Sequence, residues 1–178
     1  MIKEALHILI RGEDLSYDTT KEVMNEIMSG DATNAQIASF LTALRIKGES
    51  IDEITACAAV MREKGVKLVH NKEVIDIVGT GGDESFTFNI STVSAFVVAA
   101  AGVPVAKHGN RSVSSKCGAA DLLEALGAKL DLTAEQSAQV LEQTELCFMF
   151  APVYHTSMKY AAPVRKEMGT RTIVNILG

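Results

Sequence analysis

Three short segments of the sequence combine glycine, hydroxyl and basic side chains, the residue types that bind phosphate. They read GTGGD at 79–83, NIST at 89–92 and KHGNRSVSS at 107–115. Glycines let backbone N–H groups approach an anion closely, and a helix N-terminus adds unpaired N–H groups with a partial positive charge. Lysine and arginine add full positive charges, and serine adds hydroxyl donors. Together the three segments predict a site for a phosphorylated ligand.

Each segment alone has an ordinary structural explanation. A glycine-rich turn often separates a strand from a helix, Asn and Ser cap helices regardless of function, and a basic loop can simply be solvated. The three segments lie within about 40 residues of one another and adjoin apolar runs, which favours one shared site. The spacing at 79–83 matches neither a P-loop nor the GxGxxG dinucleotide-binding motif.

In this order the three segments resemble the anthranilate phosphoribosyltransferase family, and the resemblance covers the whole chain up to the final RTIVNILG. It implies transfer of the phosphoribosyl group from 5-phosphoribosyl 1-diphosphate (PRPP) to anthranilate, with release of pyrophosphate, in tryptophan biosynthesis. Pyrimidine nucleoside phosphorylases share the architecture. They carry Lys-His-Ser ahead of the glycines of their first loop, and they lack the KHGNR pattern found here.

The resemblance also implies which residues contact the two substrates. Asn110 and Arg165 are expected to face anthranilate, since a guanidinium group matches a carboxylate with two hydrogen bonds. From sequence alone Arg165 could equally be a solvated helix residue. The full set of implied substrate contacts is Gly79, Gly82, Asp83, Thr87, Asn89, Ile90, Ser91, Thr92, Lys107, His108, Gly109, Asn110, Arg111, Ser112, Val113, Ser114, Ser115, Ala119 and Arg165.

The implied reaction displaces pyrophosphate from C1 of the ribose, so it needs donors around the leaving group and no covalent nucleophile. No catalytic side chain is therefore assigned. Mg²⁺ is the expected cofactor, and Ser91 is its expected protein ligand. His108 and His155 are interpreted as structural or substrate-contact residues, because no partner that would make either an acid or a base can be identified.

One departure from the family pattern is important. The family has a second half of similar length with an adjacent Asp-Glu pair that binds magnesium, and this sequence supplies no such half. We therefore expect a fragment or truncated product that binds PRPP weakly and turns over little or not at all. The alternatives are another phosphoribosyl or nucleoside transferase of the same fold, or a non-catalytic dimerising fragment.

The composition excludes several other classes of protein. The formal net charge of the 178 residues is −5, which disfavours a broad nucleic-acid surface. No apolar run is long enough for a membrane span, and the N-terminal residues do not follow the signal-peptide pattern. The three cysteines are widely spaced and form no metal motif, which indicates reduced thiols in a cytoplasmic protein. From the charge and the lack of a long apolar run we expect no nucleic-acid and no membrane partner.

The hydrophobic pattern predicts an α/β protein with a small all-helical N-terminal subdomain and an incomplete parallel-sheet α/β domain. Residues 1–68 should form four short helices, with capping boxes at Thr33 and Ser50. The family resemblance implies that these helices form a homodimer interface and one wall of the active-site cleft. Residues 69–178 should form the truncated PRPP-binding domain, with strands at 74–78, 103–106 and 147–150 and helices at about 91–101, 119–126 and 134–143. A further helix over 157–168 should either kink at Pro163 or restart there.

Overall fold

The computed structural model describes residues 1–79, 88–112 and 117–177. The chain forms two compact units, which are described separately below. One is a helical unit made of Met1–Gly65 and His155–Gly178, and the other is an α/β unit made of Val66–Tyr154. No helix of the described residues has both the length and the apolarity that crossing a lipid bilayer would require.

The helical unit begins with the four predicted helices, and the prediction is confirmed. Their bounds are α1 Ile2–Ile10, α2 Tyr17–Ser29, α3 Asn34–Lys47 and α4 Ile51–Lys64. The capping boxes at Thr33 and Ser50 are both formed. Helix α2 ends at Gly30, whose φ of 85° is the left-handed conformation that favours glycine. Apolar side chains of α1 to α4 share one core, which includes Val23, Phe40, Leu44 and Val60.

A buried carboxylate links the start of α4 to the rest of this unit. Glu53 has no solvent exposure, and its side chain accepts hydrogen bonds from the backbone N–H groups of Leu15 at 2.9 Å and Ser50 at 2.7 Å. The Nζ of Lys47 lies 2.9 Å from the same carboxylate and 2.6 Å from Asp14. Glu53 thus does more than cap α4, because it also fixes the segment before α2.

We expect Glu53→Gln to lower the free energy of unfolding by about 3 kcal/mol, because it removes the buried charge that pairs with Lys47. The amide also keeps only one acceptor oxygen, so the N–H group of either Leu15 or Ser50 loses its acceptor. Chemical denaturation of both proteins measures this difference. Asp14→Asn is the matched control, since it removes the other, exposed carboxylate from the same lysine. An equal loss in both variants would show that the burial of Glu53 is not what stabilises the unit.

The C-terminal segment packs with the helical unit, which differs from the expected single domain over 69–178. A 3-10 helix, Thr156–Tyr160, precedes α9 Ala162–Met168 and α10 Ile173–Ile176. The reason is burial of apolar side chains, since Val164, Ile173 and Val174 lie in the core formed with α1 to α4. Pro163 lies in the first turn of α9, so the helix restarts there instead of kinking.

The α/β unit has the parallel strands and intervening helices that the sequence predicts, and the fold class is confirmed. Its elements are α5 Ile90–Ala100, β1 Val105–Gly109, α6 Ala119–Ala125, α7 Ala134–Thr144, β2 Leu146–Phe150 and α8 Ala151–Tyr154. Strands β1 and β2 pair in parallel, from Val105 opposite Leu146 to Gly109 opposite Phe150. Strand β1 begins two residues later than predicted and continues to Gly109.

The predicted strand at 74–78 is wrong apart from one residue. Ile75 forms a single parallel bridge with Val105, in which Ala106 N–H donates to the Ile75 carbonyl at 3.0 Å. The next ladder bond would join His108 N–H to the Ile77 carbonyl. Instead, His108 N–H donates to the side chain of Asp76 at 3.1 Å, and the Ile77 carbonyl accepts from Lys107 Nζ. Side chains therefore replace the ladder just where the strand was expected to continue.

An apolar cavity of about 680 Å³ lies within the α/β unit. Its walls come from α5, α6, α7 and the two strands. Ala95, Phe96, Leu123, Val140 and Phe148 are among its apolar lining residues. Two polar residues of the predicted phosphate segments, Thr92 and Lys107, also line it. The start of α5 and the middle of β1 therefore both contribute to this cavity.

Candidate phosphate-binding site

Helix α5 begins at the second predicted segment, as the NIST motif indicates. The Asn89 side chain accepts from Thr92 N–H at 3.3 Å, which caps the helix, and Ser91 lies half-buried in the first turn. Thr92 is 1% exposed, and its hydroxyl oxygen has no hydrogen-bond partner among the described residues. A helix of 11 residues has a positive partial charge at this end. A buried hydroxyl thus lies at the positive end of a helix, where an anion is stabilised.

Lys107 points inward from the carboxyl half of β1, and only 2% of the residue is exposed. Its ammonium group donates to the carbonyl of Ile77. Burial lowers the pKa of Lys107, and the negative charge of Asp76 opposes that change only in part. Among the described residues no carboxylate lies in contact with this ammonium group, and a buried ammonium group of that kind favours an anion beside it, because an anion restores the stabilisation lost with water.

His108 follows Lys107 and is held through its backbone. Its N–H donates to Asp76, and its imidazole ring is half-buried. Burial is the largest influence on the ring, and it lowers the pKa of His108. The negative charge of Asp76 raises this pKa, and the positive charge of Lys107 lowers it further. A lowered pKa favours the neutral imidazole near pH 7. His108 therefore suits a contact or structural role better than the role of a second cation.

Gly109 ends β1 at a point with no room for a side chain. A Cβ atom there would lie 2.8 Å from Cε2 of Phe148 and 3.2 Å from Cβ of Ala119. Ala119, another predicted contact residue, is the first residue of α6. The absence of a side chain at Gly109 thus allows the start of α6 to pack against the end of β1.

Arg111 is paired with two carboxylates of α6 in this structure. Its guanidinium group makes two hydrogen bonds to Glu124, at 2.7 and 2.9 Å, and one to Asp121 at 3.0 Å. These hydrogen bonds, first with Glu124 and then with Asp121, raise the pKa of Arg111. Its Cζ atom lies 5.8 Å from the centre of the Phe150 ring. Sequence reasoning placed Arg111 beside the substrate and did not identify either carboxylate.

The remaining predicted contacts fall into three groups. Asn110 and Ser112 follow β1 and are exposed, as are Ile90 at the start of α5 and Gly79. Arg165 lies in α9 of the helical unit, where it is half-buried and where burial lowers its pKa, so it is not a fully solvated arginine. Gly82, Asp83, Thr87, Val113, Ser114 and Ser115 lie outside the described residues.

The described residues contain no group of three or more His, Cys, Asp or Glu side chains that could hold a metal ion. Ser91 supplies one neutral oxygen at the N-terminus of α5. Mg²⁺ prefers six oxygens and commonly takes several of them from water and substrate phosphates. Ser91 therefore fits a magnesium ion that arrives together with a diphosphate.

Comparison with known proteins places the chain in a family. Residues 71–178 match the model described as "Glycosyl transferase family, a/b domain". Residues 3–65 match the model described as "Glycosyl transferase family, helical bundle domain". The chain is 68% identical over 178 residues to the anthranilate phosphoribosyltransferase of Ruminiclostridium cellulolyticum and covers 52% of it. It is 65% identical to that of Lachnoclostridium phytofermentans and covers 53% of it.

Solved structures agree with these sequence matches. Anthranilate phosphoribosyltransferase from Thermus thermophilus superposes with a TM-score of 0.89 at 46% identity, covering 98% of this chain and 53% of that one. The Saccharomyces cerevisiae enzyme in complex with PRPP and Mg gives the same TM-score at 27% identity, covering 99% and 53%. The resemblance found in the three segments is confirmed. The chain spans about half the length of the relatives it matches.

Proposed function

Because the chain belongs to the glycosyl transferase family with a helical bundle domain and an a/b domain, we propose that it is the PRPP-binding part of an anthranilate phosphoribosyltransferase. One observation carries the proposal within the structure. The buried ammonium group of Lys107 and the buried hydroxyl of Thr92, at the N-terminus of α5, line the same cavity. Convergence of a cation, a hydroxyl and a helix N-terminus is what a phosphorylated substrate requires.

The proposed reaction breaks the bond between C1 of the ribose and the pyrophosphate oxygen, and it forms a bond between C1 and the amine of anthranilate. Negative charge accumulates on the departing pyrophosphate. The N–H groups at the start of α5 and the ammonium group of Lys107 stabilise that charge, because their positions are fixed before the substrate binds. Arg111 joins them if phosphate oxygens replace its carboxylate partners.

Ser91 is the proposed protein ligand of Mg²⁺, with phosphate oxygens of the substrate completing the coordination. The bound ion neutralises part of the charge on the diphosphate. The Saccharomyces cerevisiae structure that contains PRPP and Mg supports this proposal. The neutral hydroxyl of Ser91 also explains why we expect the ion to bind with the substrate and not before it.

Turnover tests the proposal most simply. Loss of anthranilate fluorescence in the presence of PRPP and Mg²⁺ is measured for the 178-residue chain and for a longer chain of the length of its relatives. We expect the longer chain to be active and the 178-residue chain to show little or no turnover. No anthranilate consumption by the longer chain, with consumption of another acceptor, would favour the alternative of a different phosphoribosyl or nucleoside transferase.

Arg165 is the proposed partner of the anthranilate carboxylate, and Asn110 is proposed to contact the same substrate. In the active longer chain we expect Arg165→Gln to weaken anthranilate binding about 10- to 100-fold, because it removes a charge-assisted pair of hydrogen bonds. The affinity for PRPP should change much less. Titration with each substrate measures both effects.

Arg45→Gln is the matched control for this substitution, since Arg45 is an exposed arginine of the same helical unit. It should leave both affinities unchanged. If Arg165→Gln reduced the affinities for PRPP and anthranilate equally, the assignment of Arg165 to the acceptor would be wrong.

We also propose that the helical unit forms a homodimer interface and that the protein acts in the cytoplasm. Two isoleucines support the first proposal, since Ile46 near the end of α3 and Ile51 at the start of α4 are each 82% exposed. Exposed apolar side chains that lie together commonly mark protein interfaces. Native mass spectrometry should give a dimer for the wild type and a monomer for Ile46→Lys/Ile51→Lys. A monomeric wild type would contradict the interface. Cys57 and Cys147 are buried thiols that form no disulfide among the described residues, and they support the second proposal.

A further inference from the structure

Asp121, a residue that the sequence motifs did not identify, binds the backbone at two points, one within the third segment and one just after it. It lies in the first turn of α6. Its Oδ2 atom accepts from the N–H of Ser112 at 2.9 Å and from the N–H of Gly118 at 2.8 Å. Its Oδ1 atom accepts from the guanidinium group of Arg111 at 3.0 Å. One carboxylate thus links Ser112 directly to Gly118.

The neighbouring backbone shows how closely these two parts of the chain approach. The N–H of Ala120 donates to the carbonyl of Asn110 at 3.2 Å. A Cβ atom on Gly118 would lie 2.3 Å from the backbone nitrogen of Ser112, which leaves no room for a side chain. Asp121 therefore lies at a point where the chain leaving β1 meets the chain entering α6.

The charge of Asp121 strengthens this contact. Hydrogen bonds from Ser112 and Gly118 are the largest influences on its carboxyl group, and with Arg111 they lower the pKa of Asp121 below its usual value. The carboxylate therefore stays ionised at neutral pH. Hydrogen bonds to an ionised acceptor are about twice as strong as neutral ones.

Glu124 provides a contrast on the same helix. It makes two hydrogen bonds to Arg111, and no backbone contact of its carboxylate is seen among the described residues. The two carboxylates of α6 therefore have different partners. Glu124 binds only the side chain of Arg111 among the described residues, whereas Asp121 also binds the backbone next to Asn110 and Arg111, at Ser112.

We propose that Asp121 is a positioning residue for substrate binding, because it fixes Ser112 against Gly118 and thereby sets the backbone conformation of residues 110–112. The proposal rests on the proposed function, since it assumes that these residues bind PRPP. Asp121 itself need not touch the substrate. Loss of its backbone contacts should loosen residues 110–112 and weaken binding without removing any substrate-contact side chain.

The test compares Asp121→Asn with Glu124→Gln, since each replaces a carboxylate by an amide of the same size. Hydrogen exchange, resolved at the amides of Ser112 and Gly118, is measured on the ligand-free 178-residue chain. Calorimetric titration of the same proteins with PRPP and Mg²⁺ follows. We expect D121N to speed exchange at both amides and to weaken PRPP binding, each about tenfold. E124Q should leave exchange at both amides unchanged.

Three results would overturn the proposal. They are unchanged exchange in D121N, faster exchange with unchanged PRPP affinity, and equal effects of D121N and E124Q on both measurements. If D121N does not fold, Asp121→Glu takes its place, because it keeps the charge and shifts the oxygens by one methylene group. Failure of both the wild-type chain and a longer chain to bind PRPP would reject the proposed function, whereas the exchange comparison, which needs no ligand, would still decide whether Asp121 holds the backbone.

Discussion

Lys107→Met is expected to weaken binding of PRPP and Mg²⁺ about 100-fold, because it removes a charge-assisted hydrogen bond from a buried position. Methionine has a similar length and suits an apolar cavity wall. The substitution should not lower the melting temperature substantially, since it also removes the cost of burying an ammonium group. Titration calorimetry and thermal unfolding of the two proteins measure the two effects separately.

Lys129→Met is the matched control, because Lys129 lines the same cavity but is exposed. It should reduce PRPP affinity by less than about threefold, as expected for a solvated charge. Equal losses in the two variants would indicate general attraction by positive charge and would contradict a specific role for Lys107.

The same substitution has a predicted effect on the pH dependence of stability. Burial lowers the pKa of Lys107 in the folded state relative to the unfolded value of about 10.4. The folded state therefore binds fewer protons on this group, so deprotonation favours folding. As the pH rises through the interval between the two pKa values, the wild type should gain stability relative to K107M. A constant stability difference across that interval would contradict the lowered pKa.

Gly118→Ala is the second substitution from which we expect a large loss of PRPP affinity. Its Cβ atom would lie 2.3 Å from the nitrogen of Ser112 and 2.6 Å from the carbonyl carbon of Arg111, and both of these are backbone atoms. Residues 110–112 must move to make room. We expect PRPP affinity to fall tenfold or more, which corresponds to about 1.4 kcal/mol. Titration with PRPP and Mg²⁺ measures the change.

Gly102→Ala is the control for this variant. Gly102 lies in the same unit and has a φ of 89°, so alanine is strained there, but nothing lies within 4 Å of the added Cβ atom. It should destabilise the unit without a specific loss of binding. If both variants lost affinity to the same extent, general destabilisation and not the position of residues 110–112 would explain the result.

The sequence predicts well those elements whose boundaries are set by interactions between residues close together in the chain. The capping boxes at Thr33 and Ser50 each join a hydroxyl to a carboxamide or carboxylate three residues later, and both are formed. The same holds for Asn89, whose side chain caps α5. Helix boundaries near these residues could be predicted because the interactions that set them lie within one turn.

Contacts between distant residues could not be predicted in the same way. The strand expected at 74–78 is reduced to one bridge because Asp76 and Lys107 satisfy backbone groups about 30 residues away. Asp121 reads in the sequence as an ordinary helix residue, and only the structure shows that it accepts from Ser112, nine residues earlier. Hydrophobic periodicity indicates which faces of an element are buried. It does not indicate which side chains form hydrogen bonds to backbone groups in place of strand pairing.

The place of the C-terminal segment is a further example. Val164 and Ile173 are apolar, which predicts that they are buried but not against which unit. They pack against helices more than 100 residues earlier in the chain. Arg165 shares this segment, so its position depends on packing that no local pattern encodes. Its role toward anthranilate therefore rests on the family resemblance.

Calorimetric titration of the 178-residue chain with PRPP and Mg²⁺ would show whether Thr92, Lys107 and the start of α5 form a PRPP site. We predict saturable binding at one site per chain, which requires Mg²⁺ and is lost in K107M but retained in K129M. A folded wild-type chain that showed no binding, while a longer chain bound PRPP, would mean that the cavity wall of Thr92 and Lys107 is not sufficient. No binding by either chain would contradict the assignment of this site to PRPP.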